Sequence, residues 1–124
     1  MGSFGSLIYS PENLPENVIA KRESHMPRIE APDGVGRGEE FTVEVSVGPH
    51  SNTVEHSIRR IEVYFYEEGR PFNPILLASV VLTPKYSVPK IVFRLRLEKS
   101  GTIYAIAYCN LHGVWESREE IRVG

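Results

Sequence analysis

Hydrophobic and polar residues alternate along two stretches of the chain, a pattern that is typical of β-strands with one buried face. Between residues 39 and 47, every second residue from Phe41 onward is apolar, and the residues between them are Thr, Glu and Ser. Residues 91–97 repeat this alternation and place Arg94 and Arg96 on the polar face. Because side chains two residues apart share one face of a strand, both stretches predict half-buried strands.

Four further strands are predicted by runs of β-branched and aromatic residues that end at turn-forming sequences. They span residues 58–66, 75–83, 102–109 and 114–123. The run at 75–83 is largely apolar and lies between two prolines, which predicts a fully buried strand. Short strands separated by Pro and Gly, without crossover helices, predict an all-β chain folded as an antiparallel β-sandwich of about seven strands.

The N-terminal residues differ from the rest of the chain. They include Pro11 and Pro15 and show no hydrophobic period, so we expect an extended arm with at most a short helical turn. A chain of 124 residues has the size of one domain. The predicted organisation is therefore a single domain, 1–124, with an N-terminal arm at 1–27.

The composition argues against several functional classes. The formal net charge is −2, so there is no overall basic surface for a nucleic-acid backbone. The longest uncharged apolar run, 75–82, is too short to cross a bilayer, and the N-terminus lacks a signal-peptide pattern. The single cysteine excludes an intrachain disulfide and fits a reducing compartment. We therefore expect a cytoplasmic protein that binds neither nucleic acid nor membranes.

All the histidines and the only cysteine fall at expected strand ends. His25 ends the arm, His50 and His56 flank one loop, and Cys109 and His112 lie where a strand leaves the sheet. Loops at one end of a sandwich converge, and both neutral imidazole and thiolate bind first-row metals. Taken singly, each residue is more often a solvated histidine or a small buried cysteine. Their shared placement predicts one metal site.

This set of ligands favours iron over zinc or copper. A structural zinc site is coordinated by four ligands, commonly more than one of them thiolate, and five ligands exceed that number. A blue-copper centre adds a weak axial Met to two His and one Cys, but the only methionines are Met1 and Met26, and none follows His112. Iron with four nitrogens in a plane, an axial thiolate and one vacant position accommodates all five residues. The vacant position would admit a small oxidant.

Three segments of the chain resemble the superoxide reductases of the one-iron type, the neelaredoxins. They are Glu-Ser-His-Met-Pro at 23–27, Gly-Pro-His-Ser-Asn-Thr-Val-Glu-His at 48–56 with its continuation to 65, and Tyr-Ala-Ile-Ala-Tyr-Cys-Asn-Leu-His-Gly-Val-Trp-Glu at 104–116. The resemblance implies an immunoglobulin-like sandwich with one iron ion that cycles between Fe2+ and Fe3+. It also implies four equatorial imidazoles and one axial thiolate, supplied by His25, His50, His56, His112 and Cys109.

The resemblance further implies an activity and partners. The family reduces superoxide to hydrogen peroxide with one electron and two protons, and it releases no dioxygen. A rubredoxin-like electron donor then restores the ferrous state. One-iron members of the family tend to be homotetramers, and we expect the same assembly here.

Three residues near the first ligand carry the remaining catalytic expectations. By resemblance, Glu23 occupies the sixth position of resting ferric iron, whereas taken by itself it is a solvated charge on the arm. Ser24 stands where most of the family has a lysine that attracts the anionic substrate. Lys21 is the candidate replacement for that charge, and the alternative is an ordinary surface cation. Trp115 is interpreted as packing in the core or the site wall rather than as a redox residue.

Three other functions stay open on the sequence alone. A ferric centre of this kind could oxidise a second superoxide, which would give a dismutase-like activity. The second alternative is a copper or iron electron-transfer protein on a sandwich scaffold. The third is a metal-free immunoglobulin-like binding module, for which the placement of the histidines and the cysteine is coincidence.

Overall fold

Two β-sheets lie face to face and enclose the main apolar core. The computed structural model describes residues 2–124, so Met1, considered above as a copper ligand, lies outside the described residues. The smaller sheet has the strand order β1-β3-β6, formed by Arg28–Glu30, Phe41–Ser46 and Lys90–Leu95. The larger sheet has the order β2-β8-β7-β4-β5, formed by Gly34–Val35, Gly113–Val123, Gly101–Cys109, Ile58–Glu67 and Ile75–Val81. The predicted all-β sandwich is confirmed.

The predicted alternation determines the inner faces of the sheets. Phe41, Val43 and Val45 of β3 are buried, and the residues between them are exposed or half-buried. Apolar residues of β4 and β7 are buried against them in one cluster. A slip of one residue would turn each inner face outward, so the burial of these side chains fixes the strand register. The register in turn fixes which strand ends meet.

The prediction for residues 75–83 is wrong in its burial. β5 is an edge strand that pairs only with β4, and its Leu76 and Val81 are 53% and 70% exposed. An apolar run alone does not distinguish a strand covered on both faces from an edge strand with one open face. β2 also pairs in parallel with β8, through Gly34 and Arg122, so the sandwich is not purely antiparallel. With β1 and β2, too short to show a period, the structure has eight strands.

The N-terminal arm is more helical than the sequence indicates. It contains 3-10 helices at Phe4–Leu7 and Glu16–Lys21, followed directly by a one-turn helix, α1, at Arg22–His25. Such short helices contain too few residues to display a hydrophobic period, which explains why the pattern predicts an extended segment. No helix within residues 2–124 is long and apolar enough to cross a membrane.

Candidate metal centre

The five predicted ligands come from three places that meet at one end of the sandwich. Cys109 is the last residue of β7, and a three-residue turn that includes His112 leads into β8 at Gly113. Gly113 has φ +83°, a left-handed conformation that glycine adopts without steric cost and that suits a tight hairpin. Cys109 pairs with Ile58, the first residue of β4, so the loop that carries His50 and His56 ends beside this turn. His25 joins them as the last residue of α1.

The four imidazole rings lie at the corners of a square. Adjacent ring centroids are 4.5 Å apart for His25 and His50 and 4.6 Å apart for His50 and His56. The two remaining sides, from His56 to His112 and from His112 to His25, are both 5.0 Å. The diagonal from His25 to His56 is longer, at 6.4 Å. Adjacent rings are close to perpendicular, with interplanar angles between 71° and 84°.

The ring nitrogens and the sulfur converge within this square. Nε2 of His25 is 3.1 Å from Nε2 of His50 and 3.2 Å from Nδ1 of His112. Sγ of Cys109 is 3.8 Å from the same Nδ1 of His112. One ligand atom from each of His25, His50, His56 and Cys109 lies within 4.8 Å of all the others. The predicted ligands are therefore brought together, with His112 beside the group through its Nδ1.

Hydrogen bonds on the outer side of two rings determine which nitrogen faces inward with a lone pair. Nδ1 of His25 lies 3.0 Å from the Lys21 carbonyl oxygen, and Nδ1 of His50 lies 2.6 Å from the Ser51 carbonyl oxygen. A carbonyl only accepts, so we assign the proton of each neutral ring to Nδ1. Each Nε2 then presents a lone pair, and the two lone pairs face each other at 3.1 Å. A cation between them would bind both and remove their repulsion.

A third nitrogen supports the same conclusion. Nε2 of His56 is buried and has no hydrogen-bond partner. Buried polar atoms are nearly always paired, and binding of an ion is one of the standard reasons for an exception. The residues therefore fit a metal ion with nitrogen and sulfur ligands. Cys109 is 0% exposed while His50, His56 and His112 are partly exposed, so the sulfur lies on the core side and solvent reaches the imidazoles.

The environment keeps these imidazoles neutral. The pKa of His25 is lowered from 6.5 to about 4, chiefly by burial and also by the neighbouring imidazoles, against the opposing effect of the Lys21 carbonyl. Burial also lowers the pKa of His50 and of His112, and for His112 the nearby Lys21 ammonium is the next contribution. Neutral imidazole is the form that binds metals, so at neutral pH these three rings need to release no proton on binding.

Asn110, which the sequence patterns did not single out, joins the two ligand-bearing loops. Its Oδ1 accepts a hydrogen bond from the Ser57 amide at 2.9 Å, and its Nδ2 donates to the Glu55 carbonyl at 2.8 Å. Thr53 closes the same loop, because its Oγ1 accepts from the His56 amide at 3.0 Å. The signal available in the sequence was the position of Asn110 directly after Cys109, where an amide side chain suits a turn.

The other predicted site residues lie near the square but not within it. Glu23 is exposed on α1, and its carboxylate is not among the converging ligand atoms. Ser24 points toward the ring of His25, with Oγ 2.7 Å from Nδ1, and donates to the Lys21 carbonyl at 3.1 Å. Lys21 ends the second 3-10 helix, and its charge is close enough to lower the pKa of His112. Met26 packs in a small apolar cluster away from the ligand atoms.

Comparison with known proteins gives consistent matches over most of the chain. The family model described as desulfoferrodoxin matches residues 17–118, a range that contains all five ligand candidates. A superoxide reductase of Pyrococcus horikoshii is 43% identical over 107 residues, which cover 82% of this chain and 90% of that protein. A neelaredoxin of Megalodesulfovibrio gigas is 35% identical over 116 residues, covering 82% of this chain and 88% of its own length.

A solved structure agrees with these matches. The superoxide reductase (neelaredoxin) of Ignicoccus hospitalis is 56% identical and superimposes with a TM-score of 0.93. The superposition covers 99% of this chain and 100% of that protein. The similarity thus extends beyond the sandwich to the N-terminal arm.

Proposed function

The chain belongs to the desulfoferrodoxin family and is a superoxide reductase, and we propose that it carries out this reaction at a single bound iron ion. Four imidazoles and one thiolate would hold this ion. These ligands are His25, His50, His56, His112 and Cys109. When bound, iron supplies the one-electron chemistry that converts superoxide, with two protons, to hydrogen peroxide.

The inward lone pairs are the single observation that carries the iron assignment. Nε2 of His25 and Nε2 of His50 lie 3.1 Å apart, and the proton of each ring is held by a carbonyl on the other side. This arrangement is unfavourable without a cation, because neither nitrogen donates to the other. A set that combines several imidazoles with one thiolate suits a first-row transition metal rather than calcium or magnesium.

The protein contributes positioning and charge to the reaction. Backbone carbonyls orient the rings of His25 and His50, and Ser24 accepts a hydrogen bond from the ring of His25. We assign to Lys21 the role of attracting the anionic substrate, supported by its electrostatic effect on His112. Burial of Cys109 keeps oxidants in bulk solvent away from its sulfur. Protons enter from the side on which the imidazoles are partly exposed.

Glu23 is proposed as the ligand that closes the sixth position in the oxidised state. It lies two residues before His25 on the same helix, and because residues two apart face different sides of a helix, reaching the metal would require movement of this helical turn together with the side chain. A carboxylate prefers the harder ferric ion to the ferrous ion, which would release it on reduction. Its exposed position is compatible with such a swinging ligand.

The proposed electron donor is a small rubredoxin-like protein, and the proposed compartment is the cytoplasm. The single cysteine, which is unpaired, supports a reducing environment. The partly exposed side of the square, formed by His50, His56 and His112, is the surface from which an electron would reach the metal over the shortest path.

We propose the outer face of the larger sheet as the surface through which copies of the chain form a homotetramer. This face contains an apolar groove of about 1020 Å³ lined by Tyr64, Tyr104, Ile106 and Tyr108, among others. An exposed apolar surface of this kind on a small protein marks an interaction site. The groove also contains both Arg60 and Glu116, so two copies related by a two-fold axis can pair opposite charges.

The function is tested on the purified chain loaded with Fe2+, with the Zn2+-loaded chain as the control. We expect one iron per chain, a thiolate-to-iron band in the visible spectrum after oxidation, and rapid consumption of superoxide in pulse radiolysis. The Zn2+ form keeps the fold but should consume no superoxide. A Cys109→Ser variant should lose the visible band. Failure of the Fe2+-loaded chain to consume superoxide faster than the Zn2+ form would contradict the proposal.

A further inference from the structure

We infer that Trp115 is a positioning residue that fixes the His25 and His112 ligands relative to each other, an inference that rests on the proposed iron site. Trp115 is the third residue of β8, directly after the hairpin turn, and is 0% exposed. It belongs to a small apolar cluster with Val18 and Met26, separate from the main core. Its burial therefore serves the arm and the metal site rather than the interior of the sandwich.

The indole contacts both ligands through different parts of its ring. Its face lies against the ring of His25, with centroids 5.0 Å apart and an interplanar angle of 32°. Its Nε1 donates a hydrogen bond to the backbone carbonyl of His112 at 3.0 Å. His25 and His112 come from distant parts of the chain, yet their inward nitrogens are 3.2 Å apart. One rigid side chain therefore spans the arm and the hairpin at one edge of the square.

A second aromatic residue of the arm also contacts the indole. The ring of Tyr9 lies 4.8 Å from that of Trp115, with an interplanar angle of 44°. The backbone of Tyr9 is fixed to β8, because its amide donates to the Val114 carbonyl and its carbonyl accepts from the Glu116 amide. The indole thus contacts the rings of both Tyr9 and His25, which are both part of the arm.

The other ligands are oriented by hydrogen bonds that do not involve the indole. His50 is held by the Ser51 carbonyl, and the loop of His56 is held by Thr53 and Asn110. Loss of the indole contacts should therefore displace the edge of the square formed by His25 and His112 and leave the opposite edge, formed by His50 and His56, in place. Residues that orient metal ligands in this way typically contribute tenfold to hundredfold to metal affinity.

The test is titration of the metal-free full-length chain with Co2+, whose visible bands report the ligand geometry directly. Trp115→Phe keeps an aromatic ring against His25 but removes the indole N–H. We expect its Co2+ affinity to fall about tenfold and its ligand-field bands to shift. The matched control is Phe65→Leu, which alters another fully buried aromatic residue. Phe65 is seven residues along β4 from the Ile58–Cys109 pair, roughly 23 Å away at 3.3 Å per residue.

The control separates a positioning role from general stability. Phe65→Leu should lower the urea midpoint while its Co2+ affinity and spectrum match those of the wild type. If Trp115→Phe does not fold, Tyr9→Leu replaces it as the test, with an expected loss of about threefold in affinity and a smaller shift of the bands.

The inference is overturned if the folded variant, Trp115→Phe or in its place Tyr9→Leu, binds Co2+ with wild-type affinity and spectrum. It is also overturned if Phe65→Leu changes both as strongly. Failure of the wild type to bind Co2+ with bands of nitrogen and sulfur ligands would contradict the proposed iron site instead, so the two failures are distinguishable.

Discussion

At the scale of single residues, two of the ligands meet two demands at once, since each presents a lone pair inward and keeps its other ring nitrogen hydrogen-bonded. His25 and His50 meet both demands through backbone carbonyls on the outer side of the ring. His112 is different, because its Nδ1 rather than its Nε2 faces the square. Its place in a tight three-residue turn brings the ring close to its own backbone, and the nearer nitrogen then reaches the site.

The charge near the site should control the rate at which superoxide arrives. Lys21→Gln removes the cation that lies near His112, and Ser24→Lys adds one beside His25, so association should slow in the first variant and quicken in the second. We expect changes of roughly twofold to fivefold at low ionic strength, shrinking as salt screens the charges. Pulse radiolysis over a series of salt concentrations measures this rate.

Two control variants separate charge from structure. Ser24→Ala loses the hydrogen bond to His25 without adding charge, so the difference between Ser24→Lys and Ser24→Ala reports the charge alone. Lys99→Gln removes a lysine at Glu68 and Gly69, away from the ligands, and should leave the rate unchanged. Rates for Lys21→Gln and Ser24→Lys that equal those of their controls at every ionic strength would rule out steering by these positions.

At the scale of elements, the hairpin of β7 and β8 and the loop before β4 form one unit through Asn110. Asn110→Ala leaves the amide of the fully buried Ser57 without its partner, which should cost about 1–3 kcal/mol of the free energy of unfolding. It should also weaken iron binding, because the loop that carries His56 loses its tie to the hairpin. Urea unfolding of the metal-free chain and competitive iron titration measure the two effects.

Asn110→Asp provides the matched control for that prediction. Its carboxylate keeps an acceptor for the Ser57 amide but loses the donor to the Glu55 carbonyl. It should therefore recover part of the unfolding free energy that Asn110→Ala loses. Equal stability of Asn110→Ala and the wild type would show that the two loops are held together by other contacts.

The predictability of each element follows from how its residues are buried. Strands such as β3, with one face in the core and one in water, show a clear alternation, and the sequence predicted them well. β5 was misread because an edge strand with an open apolar face has the same composition as a buried one. The arm was misread because its helices are one or two turns long and owe their position to contacts with β8.

The ligand set was predictable for a different reason. The chain contains only five side chains with imidazole or thiol groups, and none of them lies in the middle of a strand. The spacing of these residues in the sequence does not predict the orientation of each ring or the roles of Asn110 and Trp115. Those depend on a hydrogen bond to the Glu55 carbonyl and on a ring contact with His25, which arise only after distant strands have paired.

At the scale of the whole molecule, the buried imidazoles link folding to pH. The pKa of His25 is lowered by burial from 6.5 to about 4, so between these values the unfolded chain binds a proton that the folded chain does not. The free energy of unfolding of the metal-free chain should therefore fall as the pH falls from 6.5 toward 4, by up to about 1.4 kcal/mol per pH unit from this residue. Urea titrations across this range give the slope.

A variant without this imidazole isolates its share of the slope. In His25→Gln the contribution of His25 is absent, while the carboxylates and the other histidines still titrate. Its stability should vary less steeply with pH in the same range. Identical slopes for His25→Gln and the wild type would mean that burial of His25 does not shift its titration.

The proposed homotetramer interface, on the outer face of the larger sheet, is tested by a substitution in that face. Ile106→Glu puts a charge in the middle of the apolar groove and should dissociate the homotetramer, because burying an unpaired carboxylate is costly. Val92→Glu is the control, since Val92 is 59% exposed on the smaller sheet. Analytical ultracentrifugation of the iron-loaded variants measures the masses. A tetramer that persists in Ile106→Glu would place the interface elsewhere.

The stoichiometry of products distinguishes reduction of superoxide from its disproportionation at the same five ligands. The Fe2+-loaded chain is mixed with a known amount of superoxide in the presence of a rubredoxin-like donor, and hydrogen peroxide and dioxygen are both measured. The account predicts one hydrogen peroxide for each superoxide consumed and no dioxygen above the uncatalysed background. Half as much hydrogen peroxide, with an equal amount of dioxygen, would contradict it.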